Sequence, residues 1–158
     1  MKKTDKDLSL AKLLSYSFGS SESLFTISNQ YLFASIITDN IHLKKMFKKA
    51  YFDLTSQVIT LAELIFSLGE IPFLGEYMFG RINYWNGYYV YYEKNVNSLL
   101  DVCIYLEQKI IYSFNVIISE IDNIHVKNVI NNFLKVHYKF LDLWINYKKS
   151  IVYLCHGN

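Results

Sequence analysis

The chain has 158 residues, of which 52% are hydrophobic and 19% are charged, and its formal net charge is +2. This length predicts one domain, which buries about two thirds of the surface that its unfolded chain exposes. Charged or asparagine residues interrupt every apolar run well short of the roughly 18 residues that a membrane span needs, so none is predicted. The charged N-terminus has no apolar leader segment, which predicts cytoplasmic synthesis without a signal peptide.

The charge and motif content excludes several classes of function. Because the chain has a single arginine, Arg81, and scattered lysines, we expect no nucleic-acid binding. Cys103 and Cys155 are far apart and form no CxxC pair, which argues against a redox motif or a zinc knuckle. The chain has neither a glycine-rich phosphate loop nor a Gly-x-Ser-x-Gly motif, which argues against a nucleotide-binding protein and a hydrolase. One basic cluster repeats at helical spacing, as is typical of a solvated helix face. Its members are Lys44, Lys45, Lys48 and Lys49.

One proline, six glycines and the lack of alternating strand patterns predict an all-helical chain. A short accessory helix is expected over residues 8–18, ending at Gly19. A first long helix is expected over residues 22–38, with Ser20 and Ser21 available as N-caps. Its apolar positions fall on one stripe that faces a core. These positions are Leu24, Ile27, Tyr31, Ala34 and Ile37.

Three more long helices follow. The second is predicted over residues 41–68 and ends at Gly69, since glycine commonly follows a helix C-terminus. The third is expected over residues 97–121 and the fourth over residues 124–149, with a tight turn between them.

Residues 70–96 are too many for a turn between antiparallel neighbours, so they predict a long crossover. Within it, residues 83–92 are expected to be extended and packed along the bundle. The predicted fold is therefore all-α: an antiparallel four-helix bundle with one long crossover, forming one domain with its core at about residues 21–149.

Several segments carry a resemblance to a known family. They are Asn29-Gln30-Tyr31, then Leu61-Ala62-Glu63-Leu64-Ile65-Phe66-Ser67-Leu68-Gly69 with Pro72, and Tyr84-Trp85-Asn86-Gly87-Tyr88-Tyr89-Val90. Over about residues 21–147 the chain resembles the ferritin-like superfamily, in the branch of the rubrerythrins and the manganese-catalase-like proteins of the spore coat. The resemblance implies a bundle that holds two iron or manganese ions and acts as a peroxidase, catalase or ferroxidase.

Such a dinuclear site takes one glutamate from each of two helices and a Glu-x-x-His pair from each of the other two. By the resemblance, Leu24 stands at the glutamate of the first long helix. Leu54 and Gln57 stand at the glutamate and histidine of the second.

On the third long helix, Glu107 stands at a glutamate ligand and is the one ligand kept. On the fourth, His137 and Phe140 replace the glutamate and the histidine. One ligand of six supplies too few donors and too little negative charge for two divalent ions. We therefore expect no metal cofactor, with iron or manganese as the alternative.

Among the residues that the resemblance places at ligand positions, Glu107 and His137 are the two with ionisable side chains, and we expect them on facing helices. A buried carboxylate is costly unless it is paired, so we expect a hydrogen-bonded Glu107–His137 pair, helped by Gln57 or Tyr138. The alternative is one metal ion on Glu107 and His137, with Asp53 as a third candidate ligand.

The crossover is unusually aromatic. If it is extended, alternate side chains point to opposite sides, so about half of its aromatic rings face away from the bundle. Tyrosine and tryptophan are common interface anchors, so these rings indicate either packing on the chain's own bundle or a subunit interface. They belong to Tyr84, Trp85, Tyr88, Tyr89, Tyr91 and Tyr92.

These patterns favour a non-catalytic structural protein that forms a homo-oligomer or larger assembly, with spore association implied by the resemblance. One alternative is a peroxidase-, catalase- or ferroxidase-type oxidoreductase with a rearranged iron or manganese site. Another is a carrier of a small apolar ligand, because Leu24, Leu54 and Phe140 would make the former metal cavity apolar.

Overall fold

The computed structural model describes the backbone of residues 6–156 and the side chains of residues 6–151. Its helices are α1 (Leu8–Gly19), α2 (Leu24–Ile37), α3 (Ile41–Ser67), α4 (Val96–Glu120) and α5 (Ile124–His156). Between α3 and α4 lie two strands, β1 (Gly75–Met78) and β2 (Arg81–Tyr84), and a 3-10 helix (Gly87–Tyr89). In the part of the chain so described, no helix is both long and apolar enough to cross a membrane.

The helices α2 to α5 form the four-helix bundle predicted from the sequence. The most extensive helix contacts are between α2 and α3 and between α4 and α5, whose connections are short, as in antiparallel hairpins. The helix ends agree with the predictions to within about two residues, except that α5 continues to His156 rather than ending near residue 149.

The N-cap of α2 is Ser23, so the prediction of Ser20 or Ser21 is wrong. The Ser23 hydroxyl accepts from the Thr26 amide at 3.3 Å and donates to the Ser20 carbonyl at 2.7 Å. Ser20 is the C-cap of α1 instead. Because the two helices share this short connection, α2 begins at Leu24 rather than near residue 22.

The β-hairpin in the crossover was not predicted from the sequence. Its strands have only four residues each and are largely exposed, so each gives a weak strand signal in the sequence. The turn between them is Phe79-Gly80, and both residues have positive φ, 48° and 77°. A two-residue hairpin turn of this kind usually contains Asn-Gly or Asp-Gly. The Phe79-Gly80 sequence therefore did not indicate a hairpin.

Gly19 fixes the base of the hairpin against α1. A Cβ atom at this position would lie 2.6 Å from the Phe73 carbonyl oxygen, so only glycine allows the approach. The hairpin closes with a hydrogen bond from the Trp85 amide to the Leu74 carbonyl at 3.0 Å. Its first rung pairs Gly75 with Tyr84.

The second half of the crossover packs along α2. The side-chain amide of Gln30 accepts from the Tyr91 amide at 2.8 Å and donates to the Tyr91 carbonyl at 3.2 Å, as a neighbouring strand would. The Trp85 indole donates to the Thr26 hydroxyl at 2.9 Å, and its ring meets Phe25 edge to face at 5.0 Å. The prediction that this segment packs along the bundle is confirmed.

Candidate functional site

Glu107 and His137 lie side by side near the middle of α4 and α5, and both side chains are fully buried. Their contact, His137 Nδ1 to Glu107 Oε2, is 2.6 Å long. The hydrogen-bonded pair predicted from the sequence is confirmed.

Three further residues complete this buried network. Gln57 Oε1 lies 3.1 Å from His137 Nε2, as one of the two sequence alternatives predicts. On the other side, the Tyr31 hydroxyl donates to Glu107 Oε1 and accepts from the Trp144 indole at 2.8 Å. The chain of contacts therefore runs from α5 through α2 and α4 back to α5 and on to α3.

Tyr138 takes no part in the network, so that alternative is wrong. Its side chain is exposed, and its hydroxyl accepts from the Asn115 side chain at 3.2 Å. The physical reason is helical geometry: a residue next to the inward-facing His137 is turned by about 100° and cannot share its face.

The donors and acceptors indicate the direction of each hydrogen bond in the network. An indole N–H only donates, so Tyr31 accepts from Trp144 and gives its own hydrogen to Glu107. The Gln57 carbonyl only accepts, so His137 Nε2 carries a hydrogen. A further hydrogen lies between Nδ1 and Oε2. Each side-chain nitrogen and oxygen of the Glu107–His137 pair therefore has a hydrogen-bond partner, which offsets part of the cost of burying it.

Tyr31 and Cys103 are held in their protonated forms. Burial raises the pKa of the Tyr31 hydroxyl well above its ordinary value, and the nearby Glu107 raises it further. The same two causes, in the same order, raise the pKa of the Cys103 thiol. At neutral pH the site therefore holds neither a phenolate nor a thiolate nucleophile.

An aromatic cluster packs beside the network. The Trp144 ring lies 4.7 Å from Phe47, 5.5 Å from Tyr31 and 6.2 Å from Phe140, measured between centroids. The sequence analysis did not place Tyr31 or Trp144 at the site. The available signal was that Trp144 lies seven residues after His137 on the same helix face, and that a buried indole needs an acceptor.

The crossover aromatics fall into two groups. Tyr84, Tyr88, Tyr91 and Tyr92 are exposed, with Tyr88 94% exposed, whereas Trp85 and Tyr89 are partly buried. An equal split was expected from strand alternation. The 3-10 helix interrupts that alternation, so more rings face outwards.

Comparison with known proteins identifies the family. A family model described as a ferritin-like domain matches residues 21–144. The chain belongs to the ferritin-like family. No curated protein matches it.

Two solved structures share the fold of this ferritin-like chain. The manganese catalase KatB from Anabaena is 16% identical, with a TM-score of 0.87 over 98% of this chain and 78% of KatB. A dodecameric thioferritin from Bacteroides fragilis is 13% identical, with a TM-score of 0.74 over 97% of this chain and 92% of that protein. The ferritin-like fold predicted from the sequence, with its likeness to manganese catalases, is confirmed.

The dinuclear metal site implied by the resemblance does not fit the residues of this ferritin-like chain. Among residues 6–151, no three His, Cys, Asp or Glu side chains lie together as a metal site. Leu24, Leu54 and Phe140, which the resemblance assigns to ligand positions, are buried and apolar. Asp53 is wrong as a third candidate ligand, because it is a surface residue bonded to Lys49 at 2.5 Å.

Proposed function

We propose that this ferritin-like chain is a structural protein that self-assembles and carries no redox centre. The observation that carries the proposal is that the Glu107–His137 network is already closed. Both ring nitrogens of His137 and both carboxylate oxygens of Glu107 have hydrogen-bond partners within the chain. Coordination of a metal by His137 would require breaking at least one of these buried bonds, and one carboxylate supplies too little charge for two divalent ions.

The exposed crossover supports self-assembly. Tyr84, Tyr88, Tyr91 and Tyr92 offer aromatic rings to solvent on one connected segment, and such rings are frequent anchors at protein interfaces. The solved thioferritin with this fold is described as dodecameric, which supports a homo-oligomer or larger assembly for this chain. We extend the proposal to spore association on the sequence resemblance alone. Its test is whether the protein co-purifies with washed spores of the organism that produces it.

Metal content and mass measured on the same sample test the proposal. We expect protein purified from medium with added iron and manganese to contain well under one metal ion per chain and to leave peroxide unconsumed. Sedimentation velocity of this sample should show an oligomer. About two metal ions per chain, the content of a dinuclear centre, would contradict the non-catalytic proposal. A monomer at high micromolar concentration would contradict the assembly proposal.

The second candidate function is an oxidoreductase of the peroxidase, catalase or ferroxidase type with a rearranged iron or manganese centre. It is favoured by one observation, the survival of a carboxylate and an imidazole in contact at mid-bundle. Under this alternative, Glu107→Ala with His137→Ala should abolish bound metal. Under our proposal the double substitution leaves metal content and peroxide consumption at their low baseline.

A further inference from the structure

The tip of the β-hairpin has an unusual composition for its conformation. Phe79 is 98% exposed and adopts φ 48°, a left-handed conformation that disfavours bulky side chains. Met78, beside it, is also exposed. Asparagine or aspartate fits this turn position better than phenylalanine. A strained residue that also exposes its whole ring to water points to a use for that ring outside the chain's own fold.

Arg81 adds a positive charge to the same tip. It is the chain's only arginine, it is exposed, and it pairs with Met78 in the rung next to the turn. A guanidinium group forms paired hydrogen bonds with carboxylates more readily than an ammonium group does. The tip therefore presents an aromatic ring and a cation directed at a carboxylate partner.

A pocket that complements the tip in apolar surface and in charge lies at the base of the hairpin. It has a volume of about 920 Å³ and lies between α1, β1 and the turn after α4. Leu10, Leu13 and Phe73 contribute apolar surface, and four carboxylates and one lysine also line it. Among the carboxylates, Glu120 and Asp122 are exposed beside the α4–α5 turn.

We infer that the hairpin tip of one copy of this chain inserts into this pocket of a second copy. Phe79 packs on the apolar wall, and Arg81 meets Glu120 and Asp122 of the second copy. Because carboxylates outnumber the single lysine in the pocket, the positively charged tip of a second copy is favoured as its occupant over an acidic or neutral partner. The inference rests on the proposed self-assembly and specifies one of its contacts.

The position of the pocket predicts the symmetry of the contact. Glu76 and Tyr77 line the pocket, and the tip begins at the next residue, Met78. Tip and pocket therefore belong to one surface patch. A patch that is complementary to itself forms a two-fold contact, in which each copy gives its tip and receives the other's.

Charge reversal tests the contact in the full chain. Arg81→Glu reverses the tip, and Glu120→Lys with Asp122→Lys reverses the pocket. Lysine near the C-terminus of α4 is compatible with the helix dipole, so the second variant should fold. By sedimentation velocity, each reversal alone should raise the dimer Kd at least tenfold. Lys139→Glu, on the exposed face of α5, is the matched charge control and should leave the Kd unchanged.

A mixture of the two reversed variants separates charge recognition from damage to the fold. In a mixed pair the reversed tip meets the reversed pocket, and the native tip meets the native pocket, so both contacts are attractive. Association should return towards the wild-type Kd. If the mixture stays as dissociated as its components, the proposed contact is wrong but self-assembly stands. The same conclusion follows if the wild-type protein assembles and neither charge reversal weakens its association. A monomeric wild-type protein would instead remove the proposed function as well.

Phe79→Asn tests the aromatic part of the contact without a folding penalty. Asn-Gly is the preferred sequence for this turn, so the melting temperature should stay the same or rise while the dimer Kd rises at least tenfold. Phe52→Asn, at an exposed phenylalanine of α3, is the matched control and should leave the Kd unchanged. Unchanged association of Phe79→Asn would show that the ring makes no contact with a second copy.

Discussion

The Tyr31 hydroxyl on α2 donates its hydrogen to Glu107 on α4, and so joins α2 to the buried Glu107–His137 pair. The bond crosses 76 positions of sequence and is fully buried. Tyr31 therefore belongs to a buried hydrogen-bond network, whose contribution to stability can be tested by removing one atom, the tyrosine hydroxyl oxygen.

We predict that Tyr31→Phe destabilises the protein by about 2 to 3 kcal/mol. The change leaves Glu107 Oε1 without its donor and the Trp144 indole without its acceptor, both in the core. Urea unfolding followed by circular dichroism measures the effect. Tyr138→Phe, which removes an exposed hydroxyl, is the control and should change stability by less than about 0.5 kcal/mol. Equal effects of the two changes would show that the buried network contributes nothing.

Leu54→Glu should cost several kcal/mol, because it places an unpaired carboxylate in the core. Leu54 is fully buried among apolar residues of α2, α3 and α4. We expect a large fall in melting temperature that added iron or manganese does not reverse. Ile59→Glu, at an exposed position of the same helix, should have little effect. Recovery of the melting temperature with metal would mean that the position still belongs to a working ligand set.

Cys103 should resist thiol reagents in the folded protein. Its raised pKa, caused first by burial and then by Glu107, leaves almost no thiolate even near pH 9. In a Cys155→Ser background, modification by a disulfide reagent should be slow until urea unfolds the chain. The folded state holds this proton more tightly than the unfolded state. The contribution of the Cys103 proton to the free energy of unfolding is therefore complete below the ordinary thiol pKa, and it declines as the pH rises above that value.

Alanine substitutions in the crossover should fall into two classes. Trp85→Ala removes the bond to Thr26 and the packing on Phe25, so it should lower the melting temperature. Tyr88→Ala removes an exposed ring, so it should leave the melting temperature of the isolated subunit unchanged. If Tyr88 anchors an interface, its loss costs about 2 kcal/mol, or roughly thirtyfold in Kd. The readouts are thermal unfolding and light scattering. A Trp85→Ala protein as stable as wild type would show that the segment is not held on α2.

The positions of the helices could be predicted because local sequence signals mark where they begin and end. Asn40 and Asn95 cap α3 and α4 with their side chains, and Gly69 follows the end of α3 with φ 101°. The hairpin could not be predicted, because Phe79-Gly80 is a poor match to the residues that usually form its turn. Its position depends on contacts with α1, which no local pattern reveals.

The sequence by itself determined the four-helix bundle and the long crossover, and its resemblance to the ferritin-like family implied the pairing of Glu107 with His137. Apolar periodicity places residues on the inner face of a helix, and a buried charge needs a partner. Only the tertiary structure decided that the partners at the two ends of this pair are Tyr31 and Gln57. Periodicity gives the face on which a residue lies, but not its height relative to a residue on another helix. That height depends on how the four helices and the crossover pack together. The same packing places the hairpin tip beside an acidic pocket.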